Sequence, residues 1–172
     1  MKGSISNSPF VSPHSPERVI APLLRARGLT LATAESCTGG LIGHLITNVP
    51  GSSDYYLGGV VSYANQAKIG LLGVRPETIE RYGAVSEQTA CEMAQGVRGL
   101  LGADLGLSVT GIAGPGGGTP EKPVGLTWIG ISTPAGVRAQ RFVWQRDRVG
   151  NKEESARAAL LILLAYLEEK ER

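Results

Sequence analysis

The sequence is poor in the residues that build metal centres and disulfide scaffolds. Its 172 residues include only two cysteines and two histidines. Cys37 and Cys91 lie far apart, form no CxxC pair and have no histidine close by, which argues against a zinc site and is too sparse for a disulfide scaffold. We therefore expect no metal ion and no other cofactor, and a reducing, cytoplasmic environment.

Long apolar stretches and runs of like charge are also missing. The longest strongly apolar segment, 156–167, contains Arg157 and is shorter than the roughly 20 residues of a membrane span. Seventeen basic and 15 acidic residues give a net charge of +2, and no basic run reaches five residues. These features give no reason to expect a membrane or a nucleic acid as partner.

The first 16 residues are rich in serine and proline. They lack the apolar segment and the small-residue cleavage site of a signal peptide. We expect a disordered tail over 1–16 and one domain over 17–172, a length that buries a core without disulfides.

Glycine is in excess, with 24 residues, about twice the average share. A predicted strand at 29–32 and a predicted helix at 41–49 enclose the segment Thr33-Ala34-Glu35-Ser36-Cys37-Thr38-Gly39-Gly40. Hydroxyl groups and main-chain N–H groups at a helix N-terminus favour anions and developing negative charge. We expect an active site there, although these residues also suit a simple helix N-cap.

Helical and strand patterns alternate along the rest of the chain. Ser15-Pro16-Glu17 is typical of a helix start, while Pro22 indicates either a kink or a later start near Ala21. Strands are predicted at 55–63, 105–110, 124–132 and 137–144, the last two as a hairpin, and helices at 76–81, 86–101, 151–169 and after a cap at Asn65. The last helix is apolar nearly all round over 158–164, which predicts burial against the sheet. This order predicts an α/β fold, a single three-layer domain with a mixed β-sheet flanked by helices.

Three polar segments follow predicted strands. They are the loop at Ser36, the strand end at Tyr63 with Lys68 five residues on, and the glycine loop 111–118 after Thr110. Pockets in open α/β sheets form at the carboxyl ends of strands, so we expect these segments to converge. The glycine loop lacks the dinucleotide and P-loop patterns, and its N–H groups suit a phosphate or an oxyanion unless it is a plain surface loop.

A nucleophilic Ser36 needs a base, and the histidines are poor candidates. His14 lies in the predicted tail, and His44 occupies an apolar-periodic helix position where a packed histidine is expected. Cys37 is a rival nucleophile, which we rank lower because no histidine or second cysteine activates it.

Lys68 is the remaining base, with Tyr63 to relay or orient the proton. To act at pH 7, its pKa must fall from about 10.4 to near 7. Burial against the sheet or a nearby Arg148 would supply that shift. The alternative is an ordinary solvated helix lysine.

Five motifs occur in an order that resembles the CinA C-terminal domain family. They are Ala34-Glu35-Ser36-Cys37-Thr38-Gly39-Gly40, Val61-Ser62-Tyr63-Ala64-Asn65-Gln66-Ala67-Lys68, Gly83-Ala84-Val85-Ser86, Thr110-Gly111-Ile112-Ala113-Gly114-Pro115 and Lys122-Pro123-Val124-Gly125. The resemblance covers about 23–164, and enzymatic members of the family are nicotinamide-nucleotide amidases of the PncC type. It implies a small-molecule substrate, nicotinamide mononucleotide, hydrolysed to nicotinate mononucleotide and ammonia.

The resemblance also implies roles for individual residues. Ser36 corresponds to the nucleophile, Lys68 to the general base and Tyr63 to a tyrosine that assists proton transfer. The implied substrate-binding residues are Thr38, Gly39, Thr110, Gly111 and, for the nucleotide phosphate, Arg148. Near Arg148 the chain departs from the family pattern, because Arg146 stands in place of a glycine and Lys152 in place of a second arginine.

A different class of function is a non-catalytic nucleotide-binding or regulatory module of the same fold. The joint presence of Ser36, Tyr63 and Lys68 favours the enzyme over such a module. Metal-dependent hydrolysis lacks ligands. The resemblance further implies a homodimer, and a stand-alone version of a domain that is often fused behind a larger one.

Overall fold

The structure, a computed structural model, describes residues 15–169. Its strands are β1 Leu31–Glu35, β2 Tyr56–Val61, β3 Leu105–Gly111, β4 Leu126–Thr133 and β5 Gly136–Val143. Its helices are α1 Pro16–Arg27, α2 Leu41–Thr47, α3 Asn65–Leu72, α4 Pro76–Tyr82, α5 Glu87–Leu101 and α6 Arg148–Glu169, with a short 3₁₀ turn at Ser52–Asp54. The tail predicted over 1–16 lies outside the described residues, apart from Ser15 and Pro16 at the start of α1.

The strands form one mixed sheet in the order β2-β1-β3-β4-β5. β1 is parallel to β2 and β3, whereas β4 is antiparallel to β3 and β5. Helices α1, α2 and α6 cover one face of the sheet, and α5 covers the other with α3 and α4 beside it. The predicted three-layer α/β fold and the β4–β5 hairpin are therefore confirmed.

Several predicted details of the helices and strands change. α1 begins at Pro16 and runs through Pro22, so the alternative start near Ala21 is wrong. Pro22 has no N–H group for the carbonyl of Arg18, and both residues are exposed, so water can bind that carbonyl. β1 begins later than predicted and extends to Glu35, because its residues pair with β2 on one side and with β3 on the other as far as Glu35. Asn65 is the first residue of α3 rather than its cap.

The last helix differs from its prediction in two ways. It begins three residues earlier, at Arg148, because the Asp147 carboxylate accepts a hydrogen bond from the Gly150 amide at 2.8 Å and so caps the first turn. Its predicted burial against the sheet is confirmed, but one side of the apolar segment faces solvent, since Leu161 is 45% exposed. None of the helices in the described part of the chain is long and apolar enough to span a membrane.

Close packing against α5 fixes the position of α3, the helix that carries Lys68. A Cβ atom added to Gly96 of α5 would overlap the main-chain carbonyl of Leu72, the last residue of α3. One turn further along α5, a Cβ atom added to Gly99 would meet nothing within 4 Å. The absence of a side chain at Gly96 therefore allows the two helices to meet at this point.

We expect Gly96→Ala and Gly99→Ala to change stability in opposite directions. Alanine favours a helix over glycine by up to about 1 kcal/mol, so Gly99→Ala should stabilise the fold slightly. At Gly96 the same gain is outweighed by overpacking, which costs about 1–3 kcal/mol. Urea unfolding of both variants tests this expectation, and an equal effect of the two substitutions would contradict it.

Candidate active site

Ser36 and Lys68 are in direct contact at the carboxyl end of the parallel strands. Ser36 follows β1, and Lys68 lies on α3, which follows β2. The Lys68 Nζ atom is 3.0 Å from the Ser36 Oγ atom. Lys68 is 1% exposed and Ser36 is 8% exposed. A solvated helix lysine, the alternative interpretation of Lys68, is therefore wrong.

The burial of Lys68, rather than its remaining contacts, favours a neutral amine. Its Nζ atom donates to the main-chain carbonyls of Ser62 at 2.8 Å and Tyr63 at 3.2 Å. Within residues 15–169, no carboxylate forms an ion pair with it, and burial lowers the pKa of Lys68 below the ordinary 10.5. A neutral amine has two N–H groups for the two carbonyls and one lone pair, which is left to accept the Ser36 hydroxyl proton.

The open helix N-terminus expected before α2 is occupied by the carboxylate of Glu35. Glu35 is 2% exposed and lies at the end of β1. Its Oε2 atom accepts hydrogen bonds from the Thr38 hydroxyl at 2.6 Å and from the Gly40 and Ile42 amides at 3.0 and 3.1 Å. Its Oε1 atom accepts one from the Gly43 amide at 2.9 Å. These four donors are therefore not free for a substrate, and Thr38 can offer one only through its main-chain N–H.

Two free main-chain N–H groups follow Ser36 directly. The amides of Cys37 and Thr38 donate to no other residue of the described chain, and the Cys37 amide contacts its own thiol. The Ser36 amide, by contrast, donates to the Val109 carbonyl at 2.9 Å. The Gly39 amide donates to the Ser36 carbonyl at 3.1 Å, which closes the turn with Gly39 at a φ of +64°. In hydrolases with a serine nucleophile, the N–H after the nucleophile commonly holds the oxyanion.

Cys37 is poorly suited to act as the nucleophile. Its side chain is buried at 7% exposure, and burial, with a smaller contribution from Glu35, raises the pKa of the thiol to about 12. The thiolate, which is the reactive form, is therefore scarce at neutral pH. This environment agrees with ranking Cys37 below Ser36 as a nucleophile.

The strand end at Thr110 and Gly111 reaches the same edge of the sheet. The buried Thr110 hydroxyl donates to the main-chain carbonyl of Ala84 at 2.8 Å, so it fastens the end of β3 to the loop before α5. Gly111 packs so closely that an added Cβ atom would lie 3.0 Å from the Cys37 sulfur and 2.7 Å from the Leu126 carbonyl oxygen. Of the predicted substrate-binding residues, these two line the site mainly through their main chain.

Arg148 joins the glycine loop to Tyr63. Its Nη1 atom donates to the Gly114 carbonyl at 2.5 Å, and its Nη2 atom donates to the Tyr63 hydroxyl at 3.0 Å. Within the described chain, the Tyr63 hydroxyl makes no hydrogen bond to Ser36 or Lys68, and its ring is exposed. Tyr63 thus contacts Lys68 through its main-chain carbonyl. Of the two causes expected for the lowered pKa of Lys68, burial accounts for it and Arg148 does not contribute.

Two residues with clear structural roles at the site were not identified from the sequence. One is Glu35, and the other is Asn151, which is 2% exposed and donates from Nδ2 to the Ala113 carbonyl at 3.0 Å. Asp147 is a residue type that is typical of the position just before the first turn of a helix, and it lies three residues before Gly150. That signal would have placed Arg148 and Asn151 on one face of the first turn of α6.

The structure also shows the surroundings of the residues that depart from the family pattern. The Arg146 side chain points to Glu154, at 3.5 Å. By contrast, the Lys152 Nζ atom lies 3.7 Å from the position of a Cβ atom added to Gly39. Lys152 therefore places a positive charge beside the turn that follows Ser36.

Within residues 15–169, no group of three or more His, Cys, Asp or Glu side chains is placed to hold a metal ion.

The shifted pKa of Lys68 predicts a pH-dependent contribution to stability. Between the lowered pKa of Lys68 in the folded protein and the ordinary 10.5, the unfolded chain binds more protons at Lys68 than the folded protein does. The free energy of unfolding therefore rises with pH in this interval. We expect the unfolding free energy of the parent to rise relative to that of Lys68→Met through this interval and to level off above it. Urea unfolding of both proteins at several pH values measures the difference, and a constant difference would contradict the prediction.

The contacts of Glu35 predict a loss of stability in Glu35→Gln. An amide group keeps the size of the carboxylate but replaces one accepting oxygen with a donor, so at least one of the N–H groups of α2 loses its partner. A buried group without a partner costs about 1–3 kcal/mol. Thermal and urea unfolding measure this loss, with the exposed Glu153→Gln as a matched control. Equal stability of the two variants would show that Glu35 does not hold α2.

Comparison with known proteins places this site in a family. A family model described as the CinA C-terminal domain matches residues 14–167. The CinA-like protein of Chlorobaculum tepidum is 56% identical over 160 residues, which are 90% of this chain and 38% of that protein. The CinA-like protein of Salinibacter ruber is 56% identical over 144 residues, 84% of this chain and 35% of that protein. The chain thus spans little more than a third of the length of these relatives.

Solved structures show the same fold at sequence identities above 30%. A CinA superfamily protein from Klebsiella pneumoniae has a TM-score of 0.88 and 33% identity, covering 92% of this chain and 99% of that one. A competence/damage inducible protein from Agrobacterium tumefaciens has a TM-score of 0.85 and 40% identity, covering 92% and 98%. The sequence, the fold and these comparisons together show that the chain belongs to the CinA C-terminal domain family.

Proposed function

We propose that this chain is an amidohydrolase that converts nicotinamide mononucleotide and water to nicotinate mononucleotide and ammonia. The observation that carries the proposal is the buried hydrogen bond between Lys68 and Ser36, with no carboxylate of residues 15–169 paired to the lysine. A serine becomes a nucleophile when an adjacent base removes its proton, and a desolvated lysine is such a base. The resemblance to nicotinamide-nucleotide amidases supplies the substrate.

The first half of the reaction acylates Ser36. The Ser36 oxygen attacks the carboxamide carbon while its proton passes to the lone pair of Lys68. A C–O bond forms, and the electron pair of the C=O bond moves onto oxygen. The free amides of Cys37 and Thr38 follow the nucleophile and are the donors available for that oxyanion.

The second half releases both products. The C–N bond breaks as the oxyanion collapses, and the departing nitrogen takes the proton from the Lys68 ammonium and leaves as ammonia. A water molecule then attacks the ester carbon while Lys68 accepts its proton. The ester bond to Ser36 breaks and Lys68 returns that proton to the serine oxygen. The product is formed as the carboxylic acid, which loses its remaining proton to solvent and leaves as nicotinate.

The charges around the site support a phosphorylated substrate. A guanidinium group has five N–H donors, and the two hydrogen bonds of Arg148 to Gly114 and Tyr63 leave three for a phosphate. Lys152 adds a second cation beside Gly39, in the position where the family has its second arginine. A phosphate is bound well by such a pair of donors.

One observation favours the second candidate, a non-catalytic nucleotide-binding or regulatory module. Within the described residues the Tyr63 hydroxyl makes no hydrogen bond to Ser36 or Lys68, so no direct proton path joins the tyrosine to that pair. A module of this kind would bind the nucleotide through Arg148 and Lys152 without hydrolysing it.

We expect Ser36→Ala to reduce ammonia release from nicotinamide mononucleotide by about a thousandfold or more, since loss of a nucleophile removes the acylation step. Cys37→Ala keeps the main-chain N–H at 37 and should retain the rate within about tenfold. Both variants and the parent are assayed with a chelator present.

Two outcomes of this assay would contradict the proposal. An active Ser36→Ala together with a silent Cys37→Ala would make the cysteine the nucleophile. Nucleotide binding by the parent without any ammonia release would favour the binding module.

A further inference from the structure

We propose that Arg148 is a positioning residue for hydrolysis, one that holds Tyr63 in place beside Ser36 by anchoring it to the glycine loop. The proposal rests on the amidohydrolase function above and adds to it, because the family resemblance implies only a contact between Arg148 and the substrate phosphate. The observation is a single guanidinium group that bridges the Tyr63 hydroxyl and the Gly114 carbonyl.

The order of the strands puts this bridge across the nucleophile. β1 lies between β2 and β3 in the sheet, so the segment after β1, which carries Ser36, lies between the segments after its two neighbours. Tyr63 follows β2 and Gly114 follows β3. Arg148 therefore ties together the two segments on either side of Ser36.

The main chain that carries the Arg148 side chain is itself held in place. Asp147 caps the first turn of α6, and Asn151, one turn after Arg148, donates to the Ala113 carbonyl at 3.0 Å. Two successive carbonyls of the glycine loop are thus held by two residues on one face of the same helix turn. The Arg148 side chain therefore extends from a rigid main chain. The two guanidinium N–H groups that bind Gly114 and Tyr63 lie in one plane and meet these partners in a fixed geometry.

Tyr63 depends on this contact for its orientation. The ring is 61% exposed, and within the described residues the hydroxyl has no other hydrogen-bond partner. Because Arg148 donates to the phenol oxygen, the hydroxyl proton of Tyr63 is left free to be donated. A tyrosine that assists transfer of a proton to the departing nitrogen has to present that proton.

A phosphate contact alone and a positioning role predict different kinetics. Arg148→Lys keeps a positive charge for the phosphate, but one ammonium group cannot reproduce the planar fork that spans Tyr63 and Gly114. A residue that only binds the phosphate should therefore tolerate lysine with a modest rise in KM. A residue that positions Tyr63 should lose kcat.

The experiment measures kcat and KM for ammonia release from nicotinamide mononucleotide by the parent, Arg148→Lys, Tyr63→Phe and the double variant. Arg146→Gln is the matched control, because its side chain lies two residues away and faces Glu154. We expect Arg148→Lys to lower kcat by about tenfold or more, within the range of acid–base contributions. In the Tyr63→Phe background, the same substitution should change kcat by less than about twofold. Thermal unfolding verifies that each variant is folded.

The outcomes separate this inference from the proposed function. If the parent and Arg146→Gln are active while Arg148→Lys changes only KM, the inference is wrong and the amidohydrolase stands. The inference is also wrong if the kcat losses of Arg148→Lys and Tyr63→Phe multiply in the double variant, since the two residues then act independently. If the parent and Arg146→Gln release no ammonia, the proposed function fails and the inference fails with it.

Discussion

The burial of Lys68 without a counter-ion is the constraint on which the site depends. An ammonium group loses its hydration when buried, and only an opposite charge or strong hydrogen bonds compensate for that loss. Here the partners are two main-chain carbonyls and one serine hydroxyl. The fold holds the lysine there by packing α3 tightly onto α5 at Gly96. The arrangement places a lysine with a lowered pKa against the Ser36 hydroxyl.

The fold also keeps a buried carboxylate away from that lysine. Glu35 and Ser36 are adjacent in sequence, and successive residues at a strand end point to opposite faces of the sheet. Glu35 consequently faces α2, where it accepts four hydrogen bonds, while Ser36 faces α3. A carboxylate beside Lys68 would raise its pKa and remove the base. The alternation of side chains thus keeps the Glu35 carboxylate away from Lys68, although Glu35 is the direct neighbour of Ser36.

The sequence predicted the layers and the meeting of Ser36 with Lys68, because apolar periodicity and the strand-end rule depend on local pattern. It did not predict what the polar side chains bind. The pattern that suggested an open anion site at α2 contains Glu35, and only the three-dimensional path of the chain shows that this carboxylate fills the site. Asn151 was missed because the start of α6 was set three residues too late, at 151 instead of Arg148. The catalytic and binding roles of the site residues stay predictions.

The central claim is that Lys68 makes Ser36 a nucleophile that carries the substrate as an ester. Rapid acid quenching of the protein with nicotinamide mononucleotide, followed by mass spectrometry of its peptides, tests that claim most directly. The account predicts an adduct on the peptide containing Ser36, with the mass of the nucleotide less ammonia and the attachment at the serine oxygen. Attachment at the Cys37 sulfur, or steady ammonia release with no adduct at any quench time, would contradict it.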